Sequence, residues 1–326
     1  MKVNSSIMLF LTFMLMGLLF SVSSNNWLGC WMGIEINLIS FLPIMMDSSS
    51  VYSSESMIKY FIVQSMGSGL LFLSIIISDM FSLFMSYTIM FSLMIKIGCP
   101  PFHMWFPSVM EGLSWLNCFL LSTIQKIAPM ILLSYLNFGL IMIFVMISCL
   151  WGALGGLSYS SLRKIIAYSS IYNLGWIISG MNMLMYSWFL YFVIYSLNIF
   201  MLCYFFYLNN LNYLNQFFLV YKKFYNWAIM MILFMSMGGL PPFLGFFPKV
   251  IMIYCLIVNQ YFLIGLLLLI SALMVLFFYL RVIFTGLMIN SLSLNFIMVN
   301  YFSMTYVFGI ISMFGPFMFL LLSLYF

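Results

Sequence analysis

The sequence predicts an all-α polytopic membrane protein with about eleven transmembrane helices, and three observations carry that prediction. Hydrophobic residues fill 66% of the 326 positions and charged residues only 5%, giving a mean hydropathy of +1.20. A soluble fold needs a water-facing shell with several times more charge. Apolar runs near the length of a bilayer-spanning helix, about 20 residues, recur from end to end. Polar and turn-forming breaks separate them, and the alternating segments of about ten residues that mark a β-barrel do not occur.

Taken in order, the breaks define the elements. The first helix runs from near Val3 to Val22. Lys2 and the apolar run before SVSSNN look like a secretory signal, but the run is too long and no A-x-A site follows, so it reads as an uncleaved helix. The second covers Trp27 to Met46, and the third Met57 to Ile77 after the polar DSSSVYSSES. The fourth covers Met80 to Gly98, where CPPFHMWFP forces a bend. The fifth extends from Met110 to Tyr135 with a kink at Pro129. The sixth covers Gly139 to Leu157, the seventh Leu162 to Gly180, and the eighth Met185 to Leu208. After the polar LNNLNYLNQ, the ninth begins near Trp227 and is interrupted by GGLPPFLGFFP. The tenth covers Tyr261 to Met288 and the eleventh Tyr301 to Tyr325.

Charge supports this count. Lys2, Lys59, Arg163, Lys164, Lys222, Lys223 and Arg281 all fall at one membrane face, and the opposite face receives Asp79 with no Lys or Arg. That segregation is what the positive-inside rule requires, and it puts the N-terminus on the basic side.

Four ionisable residues are left inside the membrane: Glu35, Lys96, Lys126 and Lys249. Each costs roughly 2.5–3.5 kcal/mol at bilayer depth even on a lenient scale. Snorkelling to the interface suits Lys96, one turn before the CPP bend, and suits Lys126 poorly. An ion pair that merely locks helices cannot account for the set, because one acid cannot neutralise three lysines. Surplus buried base points to proton handling, since desolvation and like-charge repulsion both favour a neutral amine. The breaks agree, because irregular backbone inside a membrane is tolerated only where it is buried in protein or lines a wet cavity, and it often marks ion sites. Pro100, Pro101 and Pro107 bracket one break; Gly238, Gly239, Pro241, Pro242, Gly245 and Pro248 make the other, with Lys249 emerging from it. His103 reads first as a hydrogen-bonded structural residue and second as a relay. Lys59 reads as a face-marking charge near a proton uptake site. The run from Gly152 to Gly156 reads as close helix packing through small residues.

Several functions are disfavoured. The six cysteines stand singly with no CxxC, and His103 is the only histidine, so a metal, haem or iron–sulfur site built from this chain is not expected. Neither a G-x-G-x-x-G nor a Walker lysine loop occurs, and no nucleic-acid partner is expected. The 33 methionines are scattered rather than clustered as a copper path would need.

The stretches NNWLGCWMGIEINLISFLPIM, ESMIKYF, KIGCPPFHMWFPSVMEGLSWLNCFLLSTIQKIAP, SLRKIIAYSSIYNLGW and GGLPPFLGFFPK cover most of the chain. In that order they resemble the antiporter-like membrane subunits of mitochondrial NADH:ubiquinone oxidoreductase, respiratory complex I, in their shortened animal form. The Met and Phe content suits an AT-rich invertebrate mitochondrial genome. The resemblance implies an antiporter-like inverted-repeat fold with two broken helices, a single transmembrane domain over 1–326 that lacks three N-terminal helices of bacterial relatives. It gives Glu35 and Lys96 the role of a charge pair, Lys126 that of central lysine, and Lys249 that of the lysine on the second broken helix. Protons would pass from Lys96 towards Lys126 and Lys249. It further implies a multi-pass place in the mitochondrial inner membrane, with the N-terminus in the matrix and the C-terminus towards the intermembrane space. Partners would be lipid and other membrane-arm subunits, including neighbouring antiporter-like ones. The chain would be a translocase subunit without its own cofactor, since NADH, FMN, iron–sulfur clusters and ubiquinone belong to partner subunits. A stand-alone cation/proton antiporter and a structural membrane-arm spacer are the competing functions. The former should show more buried carboxylates than Glu35 alone.

Overall fold

The computed structural model describes residues 5–46, 50–77, 82–136, 139–183, 185–219, 224–290 and 304–313. Among them, regular structure is helical apart from one isolated antiparallel bridge between Ser161 and Tyr213. Contacts cluster into two compact units, Met1–Phe138 and Gly139–Phe326. Lys2, Asp79, Lys222 and Lys223, expected to mark the membrane faces, lie outside the described residues.

The first unit contains α1 (Ser5–Ser23), α2 (Trp27–Met45), α3 (Val51–Ile77), α4 (Ser82–Ile97), α5 (Trp105–Gly112), α6 (Trp115–Ser122) and α7 (Ile124–Ser134). Helices α1 and α2 pack closely where small residues meet. A Cβ on Gly33 would lie 2.5 Å from the Ser21 nitrogen, and one on Gly17 would lie 2.9 Å from the Gly33 oxygen. Elsewhere α1 exposes Met8, Phe13, Met16 and Leu19, an apolar surface that only lipid or another apolar partner suits.

Two expectations need correction here. The third helix begins at Val51, not Met57, so most of the serine-rich stretch is helical. Its hydroxyls satisfy themselves on the preceding turn: Ser53 donates to Ser50 O, Ser54 to Val51 O and Ser56 to Ser53 O. Glu55 adds an (i, i+4) ion pair to Lys59 at 2.5 Å. The expected fifth helix is three pieces, with breaks at Leu113–Ser114 and at Thr123 that its sequence did not announce. Thr123 leaves helical geometry (φ −121°, ψ −76°), and its hydroxyl donates to Phe119 O. Pro129 sits inside α7, which continues to Ser134.

The second unit contains α8 (Ile141–Gly155), α9 (Leu162–Met181), α10 (Met185–Asn209), a 3-10 turn (Leu214–Leu219), α11 (Phe224–Gly238), α12 (Phe246–Val258), α13 (Phe262–Asn290) and α14 (Met304–Ser312). Helix α9 is its axis: every residue from Ile165 to Met181 is buried. A helix buried all round needs apolar or self-satisfied residues on every face, and Ser169, Ser170 and Ser179 each donate to the carbonyl three residues earlier. The glycine run packs as expected. A Cβ on Gly152 would lie 2.5 Å from the backbone nitrogen of Tyr172, so α8 meets α9 almost backbone to backbone.

Among the described residues, six helical segments are long and apolar enough to cross a membrane: Ser5–Ser23, Trp27–Met45, Val51–Ile77, Trp115–Ser134, Tyr186–Asn209 and Phe262–Thr285. Helices α4, α8, α11 and α12 are apolar but shorter, and α4 and α11 end at the breaks.

Candidate functional site

The two breaks are built alike. Gly98–Pro107 reads GCPPFHMWFP and Gly239–Pro248 reads GLPPFLGFFP, matching at Gly, Pro, Pro, Phe, Phe and Pro. Gly98 (φ +77°) and Gly239 (φ +76°) end α4 and α11 in the left-handed region, which a Cβ would disfavour. The closing hydrogen bonds repeat as well. Cys99 N donates to Met94 O at 3.0 Å and Leu240 N to Met235 O at 3.3 Å, the wide loop that stops a helix at glycine. Each helix therefore stops by the same physics, and a second short helix restarts after two prolines.

Two lysines meet beside the first break, one leading into it and one just after the separate break at Thr123. Lys96, in the last turn of α4, is 4% exposed, with its stem packed on Gly67 of α3, where a Cβ would lie 3.0 Å from its Cγ. Lys126, in the first turn of α7 just after the Thr123 break, is 2% exposed, and its ammonium lies 4.4 Å from the centre of the Phe106 ring. That cation–π contact offsets part of the desolvation cost. Both lysines line one cavity of about 10 Å³, room for about one water molecule, together with Tyr60, Gln64 and Gln125.

Glu35 is half-buried on α2 and lies within electrostatic reach of both Lys96 and Tyr60. It does not form a direct ion pair with Lys96. Polar side chains link α2, α3 and α7 nearby. Tyr60 donates to Gln125 Oε1 at 3.2 Å, and Gln125 Nε2 donates to Asn37 Oδ1, two residues from Glu35, at 3.0 Å. Gln64 Nε2 donates to the backbone carbonyl of Lys96 at 3.1 Å. His103 is buried within the first break, and Lys59 is exposed with its charge taken up by Glu55.

The second break carries Lys249 in the first turn of α12, 7% exposed. Its ammonium donates to the Gly238 carbonyl at 2.7 Å, which is the C-terminal end of α11. A cation suits that end, where carbonyls are unpaired and the helix dipole is negative. The stem lies against Gly239, and the ammonium is 5.6 Å from the Tyr172 ring centre. A second cavity of about 10 Å³ beside it is lined by Asn173, Tyr191, Tyr195, Asn198 and Ser236. Among the described residues no three His, Cys, Asp or Glu side chains come together as a metal site would require.

The geometry is therefore that of buried amines placed at helix interruptions, each beside polar groups and a water-sized space. Sequence reasoning had singled out the charges and missed the neutral partners Tyr60, Gln64, Gln125, Tyr195 and Asn198. Their signal was polar residues at helical spacing inside apolar runs, as in Tyr60/Gln64 and Tyr191/Tyr195/Asn198.

A family model described as "NADH:quinone oxidoreductase/Mrp antiporter, TM" matches residues 24–83 and 77–275. The chain belongs to this family. It is 42% identical over 293 residues to the NADH-ubiquinone oxidoreductase chain 2 of Locusta migratoria, covering 87% of this chain and 86% of that one. Its fold is similar to that of a chain in respiratory complex I from Thermus thermophilus with bound aureothin (TM-score 0.83, 16% identity, 99% of this chain and 81% of that one). It is also similar to a chain of the Mrp complex from Dietzia sp. (TM-score 0.72, 15% identity, 85% of this chain and 59% of that one). The chain thus has an all-helical, antiporter-like membrane fold.

Proposed function

We propose that this chain is a membrane-arm subunit of mitochondrial NADH:ubiquinone oxidoreductase that handles protons through Glu35, Lys96, Lys126 and Lys249. The identity with complex I chain 2 of Locusta over most of both chains supports membership of that complex. The single observation that supports proton handling is the placing of three buried lysines at helix interruptions, two of them at the like-built breaks, beside two water-sized polar cavities. A structural spacer has no use for that arrangement, because uncompensated buried charge only destabilises.

In this reading Glu35 sets the charge at Lys96 through its field rather than by contact. Lys96 and Lys126 exchange protons through their shared cavity, and Lys249 carries the corresponding role in the second unit. His103 and Lys59 hold supporting positions, one within the first break and one at a proton-uptake surface. The chain crosses the inner membrane about eleven times with its N-terminus in the matrix, as the basic face of the sequence requires. Moving one charge against the membrane field takes about 2.3 kcal/mol per 100 mV. That drive comes from NADH oxidation and quinone reduction in partner subunits, which hold the redox cofactors.

Lys126→Met in the assembled complex tests the reading. The complex should still form and oxidise NADH at a reduced rate, while protons pumped per NADH fall. Unchanged stoichiometry in an intact complex would sink the proton role, and sodium transport by the isolated chain would favour an antiporter instead.

A further inference from the structure

The cavity beside Lys249 contains an acceptor that nothing in the protein fills. Lys249 has three N–H donors when charged and directs one at the Gly238 carbonyl. Asn173 is already committed, since Tyr191 donates to its Oδ1 at 2.8 Å and its Nδ2 donates to Ser169 O at 2.9 Å. Asn198 is different: it is 3% exposed, lines the same cavity, and its Oδ1 has no hydrogen-bond partner. Tyr195, one turn earlier on the same face of α10, is also buried and lines the same cavity. Buried polar atoms of this kind are normally paired, and an exception calls for a bound water or a working role. The cavity has room for about one water molecule.

We propose that Asn198 is a positioning residue for proton exchange at Lys249, holding a single water between its Oδ1, the Tyr195 hydroxyl and the Lys249 nitrogen. The inference rests on the reading of Lys249 as a proton carrier. The amine then has two stations. On the Gly238 carbonyl it is an ammonium held at a helix end, where no proton can be passed on, because a backbone carbonyl is not a useful base. Turned to the water, it transfers one proton: the Nζ–H bond breaks, an O–H bond forms, and the water releases another proton along the relay. Lys249 is left neutral and the water is restored. Asn198 cannot take the proton itself. Its carbonyl oxygen accepts a hydrogen bond from the water and so turns a water lone pair towards Lys249.

The test uses the assembled complex with three variants. Asn198→Leu keeps size and removes the acceptor, Asn198→Ser keeps an acceptor, and Lys249→Met is the reference. The Leu variant should lower pumping-coupled NADH oxidation about tenfold or more at an unchanged KM for quinone, with the Ser variant restoring most of it. If Lys249→Met abolishes pumping and Asn198→Leu pumps normally, the water station is wrong and the proton role of Lys249 stands. If Lys249→Met itself pumps normally, the reading of the site fails and this inference with it. Should Asn198→Leu fail to assemble, a density map of the unaltered complex decides. A water peak within hydrogen-bond distance of Asn198 Oδ1 and Lys249 Nζ is expected, and its absence there overturns the proposal.

Discussion

Lys249 closes the helix that precedes its own: its ammonium lies 2.7 Å from the Gly238 carbonyl, so a side chain of α12 caps α11 across the break. A charge-assisted bond of this kind contributes about 1.5–3 kcal/mol. Lys249→Met therefore removes both a cap and a charge. The complex is expected to assemble with lower thermal stability and to lose proton pumping, measured as protons per NADH in reconstituted vesicles. Pumping at the unaltered stoichiometry would leave Lys249 as a cap alone.

Gly239 makes that geometry available. It sits at φ +76°, and a Cβ there would lie 2.7 Å from the Lys249 nitrogen and 2.9 Å from its Cδ. Gly239→Ala should cost about 1–2 kcal/mol in backbone strain alone and push the ammonium off the carbonyl. The expected outcome is less assembled complex on a native gel and impaired pumping in what remains. Gly69 provides the contrast: it lies within α3 with nothing near a new Cβ. Gly69→Ala should be neutral or slightly stabilising, by up to about 1 kcal/mol of helix propensity.

Much of this was legible in the sequence. Helices α1, α2, α9 and α10 lie within a few residues of where polar breaks placed them, because lipid demands a continuous apolar run and a break must be polar or bent. Both interruptions were legible from their prolines and glycines. The fracture at Thr123 was not, since WLNCFLLSTIQKIAP contains no residue that forbids helix before Pro129. At the break the Thr123 hydroxyl turns back on Phe119 O, a local bond, while Lys126 is set over Phe106 of α5, a contact that only the fold supplies. The charges of the site were legible because each is expensive in lipid. Its neutral members, Tyr60, Gln125 and Asn198, were not. One amide or phenol in an apolar helix is common, and only three-dimensional proximity gives it a partner.

Glu35 and Lys96 interact through the field rather than by contact, so removing the carboxylate should tune the lysine without collapsing the site. Glu35→Gln is expected to assemble normally and to slow NADH-driven turnover several-fold, on the order of 1 kcal/mol of barrier. A Glu35→Gln complex with full turnover and full pumping would show that the acid is dispensable. Tyr60→Phe probes the hydrogen-bonded Tyr60–Gln125–Asn37 bridge, whose tyrosine lies within electrostatic reach of Glu35. It deletes the donor to Gln125 Oε1 and, if the bridge sets the field, should slow turnover in the same direction, while added to Glu35→Gln it should do less than on its own.

Arg281 was legible only as a charge marking a membrane face, and its place in the fold is more specific. Its guanidinium, partly buried on α13, donates to the Leu157 carbonyl, to Tyr159 O at 3.0 Å and to Gly156 O at 3.3 Å, just beyond the end of α8. Those carbonyls belong to the turn leading into α9, the buried helix that presents Tyr172 to Lys249. Three carbonyls facing one point need a planar, forked donor. A lysine keeps the charge but offers a compact ammonium on a flexible stem. Arg281→Lys should therefore preserve orientation in the membrane, which depends on charge alone, and still lower stability. Loss of one or two charge-assisted bonds corresponds to about 1.5–3 kcal/mol each at most. Thermal unfolding of the complex and protease mapping of its orientation separate the two effects: a lower midpoint with unchanged sidedness is expected. If Arg281→Lys leaves the midpoint unchanged, the fork contributes nothing that a point charge does not, and Arg281 returns to the role of a face-marking charge.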